Sequence, residues 1–327
     1  MSELKTVTRD VPVLPSVNPK EKLEGNFADV KKKLKKNWPF LVMLLVPLTF
    51  LFIFSFGPMY GVLIAFKNYS PGLGIWDSPW NNFEHFKRMF TDFTFIRALK
   101  NTLWISVLKL VFVFPAPIIL ALLLNEMKSI RFKKVAQIIS YLPYFMSWVI
   151  VASMAIEIFS PQRGIVNTLI GMFGGEPLHF LASEKWFVPI LIGTDVWKEI
   201  GYGAIIYLAA ITAVDPSLYE AADLDGASRI GKMRHVTIPT IMPIILVMLI
   251  LRLGQVLNAG FDQVLNLYNP AVYSVADIID TYVYRVGLVN FSFDYSTAVG
   301  LFKNVIGLIL ITSSNWIVRK STGRTVL

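Results

Sequence analysis

Cysteine is absent from the 327-residue sequence, and the chain contains only three histidines. The absence of cysteine excludes a disulfide framework, a cysteine-based zinc site and a thiol nucleophile. His85, His179 and His235 lie far apart in the sequence, which argues against a histidine-rich metal site. The sequence has no G-x-S-x-G elbow, no H-E-x-x-H motif and no complete phosphate-binding loop. It therefore carries no hydrolase or ATPase signature of its own.

Charged residues are also scarce, at 16% of the chain against about 25% in soluble domains. Hydrophobic residues make up 54% of the sequence, and the mean hydropathy is +0.56. This composition excludes a disordered chain, a collagen-like chain and an ordinary cytosolic enzyme. It indicates a protein that resides in a membrane.

Six apolar runs are each long enough to cross a bilayer as a helix, which requires about 20 mostly apolar residues. The runs cover residues 40–66, 98–124, 135–158, 187–213, 240–260 and 296–317. The sequence therefore predicts an all-α integral membrane protein with six transmembrane helices. The first run is too long for a signal peptide and no A-x-A cleavage site follows it, so we predict an uncleaved first helix.

The basic residues are distributed unequally between the segments that connect these runs. Of the 31 lysines and arginines, 19 lie in the two tails and in loops 125–134 and 214–239, whereas seven lie in the segments on the other side. Because cytoplasmic segments carry the excess of basic residues, both termini are predicted to be cytoplasmic in a multi-pass protein of the cytoplasmic membrane. The predicted organisation is a cytoplasmic basic tail (1–37), the first transmembrane helix (38–66), an extracytoplasmic loop (67–97), a core (98–317) and a cytoplasmic tail (318–327).

The net charge of +9 does not indicate a nucleic-acid-binding protein. The positive charge is sorted by side of the membrane and has no aromatic residues interleaved with it. The run Lys31–Lys36 is instead expected to lie on anionic membrane lipid.

The loop 214–239 is too long and too regular for a simple turn. Aspartate is favoured as a helix N-cap and proline at the first helical position, so Asp215 and Pro216 are suited to start a helix. In Ser217–Asp225 the apolar residues recur with the spacing of a helix. Gly226 ends this helix, and Pro239 marks the start of the fifth span. A short amphipathic helix held between two spans is suited to docking into a groove on a partner protein.

The same loop resembles the EAA loop of binding-protein-dependent ABC importer permeases. The family pattern E-A-A-x3-G-x9-I-x-L-P is matched by Glu220-Ala221-Ala222, Gly226 and Val236-Thr237-Ile238-Pro239, with two conservative departures. Motifs elsewhere are similar to the sugar-importing branch and its complex-oligosaccharide and polysaccharide permeases. These motifs are Asp195-x-Trp197-Lys198, Tyr207-Leu208-Ala209, Asn258 to Gln263, Leu267 to Pro270 and Asp280 to Arg285.

The resemblance implies a MetI-like permease fold and a non-catalytic membrane subunit that moves a complex oligosaccharide or polysaccharide fragment. It implies four further kinds of partner: a second permease subunit, two ATPase subunits, an extracytoplasmic solute-binding protein and the oligosaccharide itself. ATP and Mg²⁺ would be bound by the ATPase subunits, with no cofactor on this chain. The residues carried over as ATPase-coupling residues are Glu220, Ala221, Ala222, Asp225, Gly226, Ala227 and Pro239.

One part of the loop is similar in sequence to a phosphate-binding motif. Gly226, Gly231 and Lys232 have the spacing of such a loop, but Met233 replaces the serine or threonine that would bind Mg²⁺. An acidic helix also precedes it where a strand is required. We therefore expect no nucleotide site here.

Polar residues in and beside the last three spans are candidates for a substrate path, because ionisable groups at membrane depth are costly and usually face a bundle interior or a wet cavity. The candidates are Asp195, Trp197, Lys198, Glu199, Tyr202, Asn258, Asp262, Gln263, Lys303 and Asn304. Asp195 and Lys198 are three residues apart and could pair on one helix face. The alternative is that such pairs only lock helices together or reach outward to the interface.

Two of these candidates, Lys198 and Lys303, would suit an acidic cargo. Lys109 and Arg252 have the pattern of packing or interfacial residues and are not counted as path residues.

A second function class stays open at this point, a secondary transporter or channel that works without nucleotide. ATP hydrolysis by the purified complex separates the two classes.

Overall fold

The computed structural model describes residues 32–322, so most of the predicted basic tail and the last five residues of the C-terminal tail lie outside the described residues. The described chain is helical, and its one β-type contact is an isolated antiparallel bridge between Lys67 and Trp80. The described residues divide into two compact units, with the boundary between Gly61 and Val62.

The first long helix, α1, is Trp38–Phe66, with 29 residues. It is apolar on every side, and no residue of its first part, Trp38–Leu51, is buried. Pro39 occupies its first turn, where a missing N–H leaves no hydrogen bond unmade, and a second proline, Pro47, lies inside it. A helix that is apolar all round is typical of a membrane span.

The unit that begins at Val62 contains the other helices named below, which vary from a single turn to 34 residues. In chain order they are α2 (Gly74–Asp77), α3 (Glu84–Thr91), α4 (Phe93–Glu126), α5 (Ile130–Tyr141), α6 (Trp148–Ile158), α7 (Ile165–Met172), α8 (Glu184–Thr212), α9 (Pro216–Leu224), α10 (Arg229–Gly254), α11 (Phe261–Leu267), α12 (Tyr273–Ala276), α13 (Ile279–Tyr284) and α14 (Phe293–Thr322).

Four helices of the described residues are long and apolar enough to cross a membrane, namely α1, α4, α10 and the Phe293–Ser313 part of α14. Two bent pairs raise the number to six if each pair counts as one span. The pairs are α5 with α6, bent by 104°, and α8 with α9, bent by 72°. The predicted helical class is thereby confirmed, and the number of apolar helices is four to six.

The predicted third span, 135–158, differs from the structure because it is not one helix. The segment breaks between Phe145 and Trp148. Pro143 lies in the short turn Leu142–Phe145, and the Ser147 side chain caps α6 by accepting a hydrogen bond from the Ile150 N–H. Proline cannot continue the backbone ladder, and the serine cap starts a new helix, so the apolar run changes direction.

Helix α8 lies at the centre of the packing and contributes to two separate apolar clusters. One cluster joins Phe187 and Leu191 of α8 to Ile105 of α4, and the other joins Tyr207 and Ala210 to the last part of α4. Gly201 permits a close approach to α5, because a Cβ there would lie 1.9 Å from the Ser140 carbonyl oxygen. A third cluster packs Met89 and Phe95 against Tyr282 and Tyr295.

Candidate functional site: the coupling loop and the polar centre of the helices

The loop 214–239 between α8 and α10, which we call the coupling loop, contains the short helix predicted from its sequence. The Asp215 carboxylate accepts a hydrogen bond of 2.9 Å from the Ser217 N–H, and Pro216 is the first helical residue. Hydrogen bonding to Ser217 lowers the pKa of the Asp215 carboxyl, which therefore stays ionised as a helix cap. Gly226 follows the helix with φ of +73°, a left-handed conformation that favours glycine.

Two side-chain contacts that sequence reasoning missed hold this loop in place. The Tyr219 hydroxyl lies 2.9 Å from Thr237 Oγ1, and the Lys232 ammonium donates to Asp223 at 2.7 Å. Both contacts tie α9 to the start of α10. Helix α9 has no buried residue, and Leu224 is 90% exposed, so the loop presents an open surface.

Gly226, Gly231 and Lys232, which have the spacing of a phosphate-binding loop, do not form one in the structure. A helix precedes Gly226, and the ammonium of Lys232, which would bind phosphate, is paired with Asp223. The described residues also contain no group of three His, Asp or Glu side chains placed to hold a metal ion.

Asp195 pairs with Lys109 and not with Lys198, which corrects the pairing expected from sequence spacing. The Lys109 ammonium lies 2.9 Å from Asp195 Oδ2, and both residues are buried. Gln263, which is fully buried, accepts a 2.7 Å hydrogen bond from Lys109 and donates a 2.6 Å bond to the Leu191 carbonyl. We call Lys109, Asp195 and Gln263 the central lock, because they join three helices. The sequence pattern indicates a packing or interfacial role for Lys109 and does not identify its partner. The signal that points to a partner is that an isolated cation in one span needs an anion in another.

Lys198 lies midway along α8 in a mostly aromatic environment. Its ammonium donates a 2.6 Å hydrogen bond to the Tyr144 carbonyl and lies 5.1 Å from the centre of the Tyr144 ring and 5.5 Å from the Trp148 ring. Tyr144 and Tyr202 stack with ring centres 3.8 Å apart. No carboxylate of the described residues forms an ion pair with Lys198. Tyr144 and Trp148 flank the break between α5 and α6, so this cation faces the interrupted helix.

A polar groove, the second group of candidates, runs along α14. Lys303 donates to Asn258 at 2.8 Å and forms an ion pair with Asp280. Asn258 and Asn304 line two neighbouring cavities of about 820 and 330 Å³. Carboxylate, amide and ammonium groups thus share one groove.

Three predicted path residues lie outside these groups. Trp197 lines an apolar cavity of about 690 Å³ between α6, α7 and α8. Asp262 is exposed at the start of α11. Glu199 is half-buried and makes no ion pair within the described part of the chain. The structure therefore distributes the predicted path residues over several places.

Long apolar helices, polar side chains at their centres and an exposed helix between two of them define a membrane permease subunit. The chain belongs to the family described as "Binding-protein-dependent transport system inner membrane component", whose sequence profile matches residues 114–325. It is accordingly a non-catalytic subunit of an ABC importer, embedded in the membrane, and ATP hydrolysis resides on partner subunits.

Curated relatives and a solved structure cover nearly the whole chain. Protein LplB of Bacillus subtilis is 46% identical over 313 residues, which is 95% of this chain and 96% of LplB. The polygalacturonan/rhamnogalacturonan transport system permease YteP of the same organism is 49% identical over 279 residues, 85% of this chain and 87% of YteP. A chain of a bacterial ABC transporter that imports the acidic polysaccharide alginate superposes with a TM-score of 0.84 at 41% identity, covering 90% of this chain and 99% of that chain.

Proposed function

We propose that this chain is one transmembrane subunit of an ATP-driven importer for an acidic, uronate-containing oligosaccharide. Two similar proteins support the acidic class of cargo, since one is named for polygalacturonan and the other imports alginate. Both polymers consist largely of sugars that carry a carboxylate.

The observation that carries the cargo assignment is the environment of Lys198. A cation at the middle of a span is costly unless it is paired or faces a polar space, and Lys198 has an aromatic surround in place of a carboxylate. The helix break beside it fits the same interpretation, because irregular backbone at membrane depth is tolerated where it lines a cavity or is buried in protein. Lys198 itself is buried, and the partly exposed rings of Tyr144, Trp148 and Tyr202 around it offer a surface that suits the C–H face of a uronate, with the ammonium beneath to attract its carboxylate.

The groove along α14 supplies the complementary groups for the rest of the sugar. Asn258 and Asn304 offer amides for hydroxyl groups, and Asp280 offers a carboxylate acceptor. The ammonium of Lys303 is neutralised by Asp280, so this groove suits sugar hydroxyls better than carboxylates. We propose that Lys198 and the groove form parts of one path, whereas Asp195 and Gln263 act structurally within the central lock.

The proposed arrangement in the membrane is six spans with both termini in the cytoplasm. The pair α5–α6 would form one span and α8 another, so that α9 would lie in loop 214–239 at the cytoplasmic surface. Glu220, Ala221, Ala222, Asp225, Gly226, Ala227 and Pro239 would then form the surface that contacts an ATPase subunit. The remaining partners would be a second permease subunit, a second ATPase subunit and a solute-binding protein, with ATP and Mg²⁺ on the ATPase subunits.

The cargo assignment is tested with the full importer complex reconstituted in lipid vesicles. Uptake of an oligogalacturonate is compared with uptake of a neutral oligosaccharide for wild type, Lys198→Gln and Lys198→Arg. Lys198→Gln keeps a hydrogen-bond donor and removes the charge, so we expect uptake of the acidic sugar to fall roughly tenfold or more while uptake of the neutral sugar persists. Lys198→Arg should retain most of the acidic uptake.

The matched control is Lys100→Gln, which removes an exposed lysine of α4 that makes no ion pair in the described residues. It should leave both uptake rates unchanged. Loss of neutral uptake and retention of acidic uptake in Lys198→Gln would contradict the proposal. Uptake that proceeds without ATP would contradict the importer mechanism itself.

A further inference from the structure

A polar cavity lies beside the first turn of α4. It has a volume of about 350 Å³, and we call it the arginine basin after Arg88 and Arg285, which line it. Asp92 in the basin caps the first turn of α4, a helix of 34 residues or about 50 Å at 1.5 Å per residue. The other end of α4 packs in the same cluster as Tyr219 of α9. The basin and the coupling loop therefore lie at opposite ends of one helix.

The Asp92 carboxylate already has its hydrogen bonds. It accepts from the Tyr282 hydroxyl at 2.7 Å and the Tyr295 hydroxyl at 3.3 Å, and from the Thr94 and Phe95 N–H groups. Burial raises the pKa of Asp92, but these hydrogen bonds outweigh it and hold the pKa below its usual value. The group stays ionised with its acceptor capacity filled from inside the protein.

Arg285 is held firmly but keeps donors available. Two of its five N–H groups donate to Asp277, which is fully buried, and its guanidinium lies 4.8 Å from the centre of the Tyr273 ring. Burial lowers the pKa of Arg285, but the hydrogen bonds and the charge of Asp277 outweigh this effect and raise the pKa above its usual value. Arg285 therefore stays charged.

Arg88 has no carboxylate partner among the described residues. Its guanidinium carbon lies 4.7 Å from the centre of the Tyr295 ring, and the side chain is exposed. The formal charges of Arg88, Arg285, Asp92 and Asp277 cancel, so net charge does not select a ligand here. The hydrogen bonds do, because Asp92 accepts four of them from within the protein and Asp277 is fully buried, whereas the Arg88 guanidinium donates no hydrogen bond among the described residues.

We infer that the arginine basin binds the carboxylate of a uronate sugar when it enters the permease, with Arg88 and Arg285 as the donors. This inference rests on the proposed acidic cargo and adds a second, outer recognition point to the Lys198 site. Guanidinium groups match carboxylates in a bidentate geometry, and the Tyr282 and Tyr295 rings provide apolar walls. The cavity volume of about 350 Å³ lies within the range of small-molecule sites.

The test measures binding of free digalacturonate to the purified, detergent-solubilised importer complex without the solute-binding protein, by titration calorimetry. Arg88→Gln is the decisive variant, because Arg88 is exposed and its loss should not disturb the fold. We expect digalacturonate affinity to fall by about tenfold or more, the size typical of a lost charge-assisted contact. Lys87→Gln, which removes the neighbouring exposed charge that does not line the basin, should bind as wild type does.

Two outcomes would overturn the inference without affecting the proposed cargo. Unchanged digalacturonate binding in Arg88→Gln would show that the basin does not hold the sugar. ATPase stimulation that falls equally for solute-binding protein loaded with acidic or neutral sugar, with digalacturonate binding intact, would assign Arg88 to a protein contact. Failure of the proposed cargo is distinguished by the wild-type complex, which would then import a neutral oligosaccharide and no oligogalacturonate.

Discussion

At the scale of single residues, the cost of charge in an apolar interior decides which side chains meet. Lys109 and Asp195 come from different helices and are both buried, so each would carry a large desolvation cost without the other. The Gln263 side-chain oxygen accepts a further hydrogen bond from the Lys109 ammonium. The spacing of Asp195 and Lys198 on one helix indicates a possible pair, but Asp195 pairs with Lys109 of α4 and Lys198 donates to the Tyr144 carbonyl at the break between α5 and α6.

The central lock gives a prediction about stability. Asp195→Asn leaves the Lys109 charge buried without its counter-ion, and we expect it to destabilise the folded chain by about 3–5 kcal/mol. The double variant Lys109→Met with Asp195→Leu removes both charges and should recover much of this loss. Thermal unfolding of the purified complex, followed by size-exclusion chromatography, measures both.

The exposed pair Lys232–Asp223 provides the matched control for this experiment. Asp223→Asn removes an ion pair with an exposed carboxylate, for which a cost of about 0–1 kcal/mol is expected. An Asp195→Asn variant as stable as Asp223→Asn would show that the buried pair is not a lock.

At the scale of elements, the short helix α9 illustrates what local sequence can specify. Its cap at Asp215, its proline start and its glycine end are all signals within one turn of the boundary, and the structure places the helix one residue from the predicted limits. The break at Leu142–Phe145 was missed, although Pro143 was visible in the sequence. Hydropathy detects a run of apolar residues, but it does not show whether the backbone changes direction within that run.

Gly226 yields a prediction at the same scale. A Cβ at this position would meet no atom within 4 Å, so a substitution is limited by the left-handed backbone and by any docked partner, not by space within this chain. We expect Gly226→Leu to insert into the membrane normally while transport is lost and ATP hydrolysis is uncoupled from it. Sugar uptake and ATPase rate in reconstituted vesicles provide the two measurements.

Gly226→Asn is the control variant, because asparagine tolerates the left-handed conformation better than a larger aliphatic residue does. It should keep most of the transport rate. Normal uptake by Gly226→Leu would argue against a docking role for this loop.

At the scale of the whole molecule, the absence of cysteine makes the membrane arrangement directly measurable. Single cysteines can be introduced at Lys128 and Thr91, which are both exposed. If loop 125–134 is cytoplasmic and segment 67–97 is extracytoplasmic, an impermeant maleimide added outside intact cells should label Thr91→Cys and not Lys128→Cys. Permeabilised cells should label both, and the cysteine-free parent should label under neither condition. The reverse pattern would invert the proposed topology.

The sequence by itself determined the helical membrane class, the family and the short helix of the coupling loop. These features depend on composition, on the length of apolar runs and on residue types within a few positions of each other. Only the tertiary structure decided the partner of Asp195, the aromatic surround of Lys198 and the arginine basin, in which Arg88 and Arg285 come from distant parts of the chain. The physical reason is that such contacts form between helices. They depend on how helix faces pack together, which no local pattern along the chain specifies.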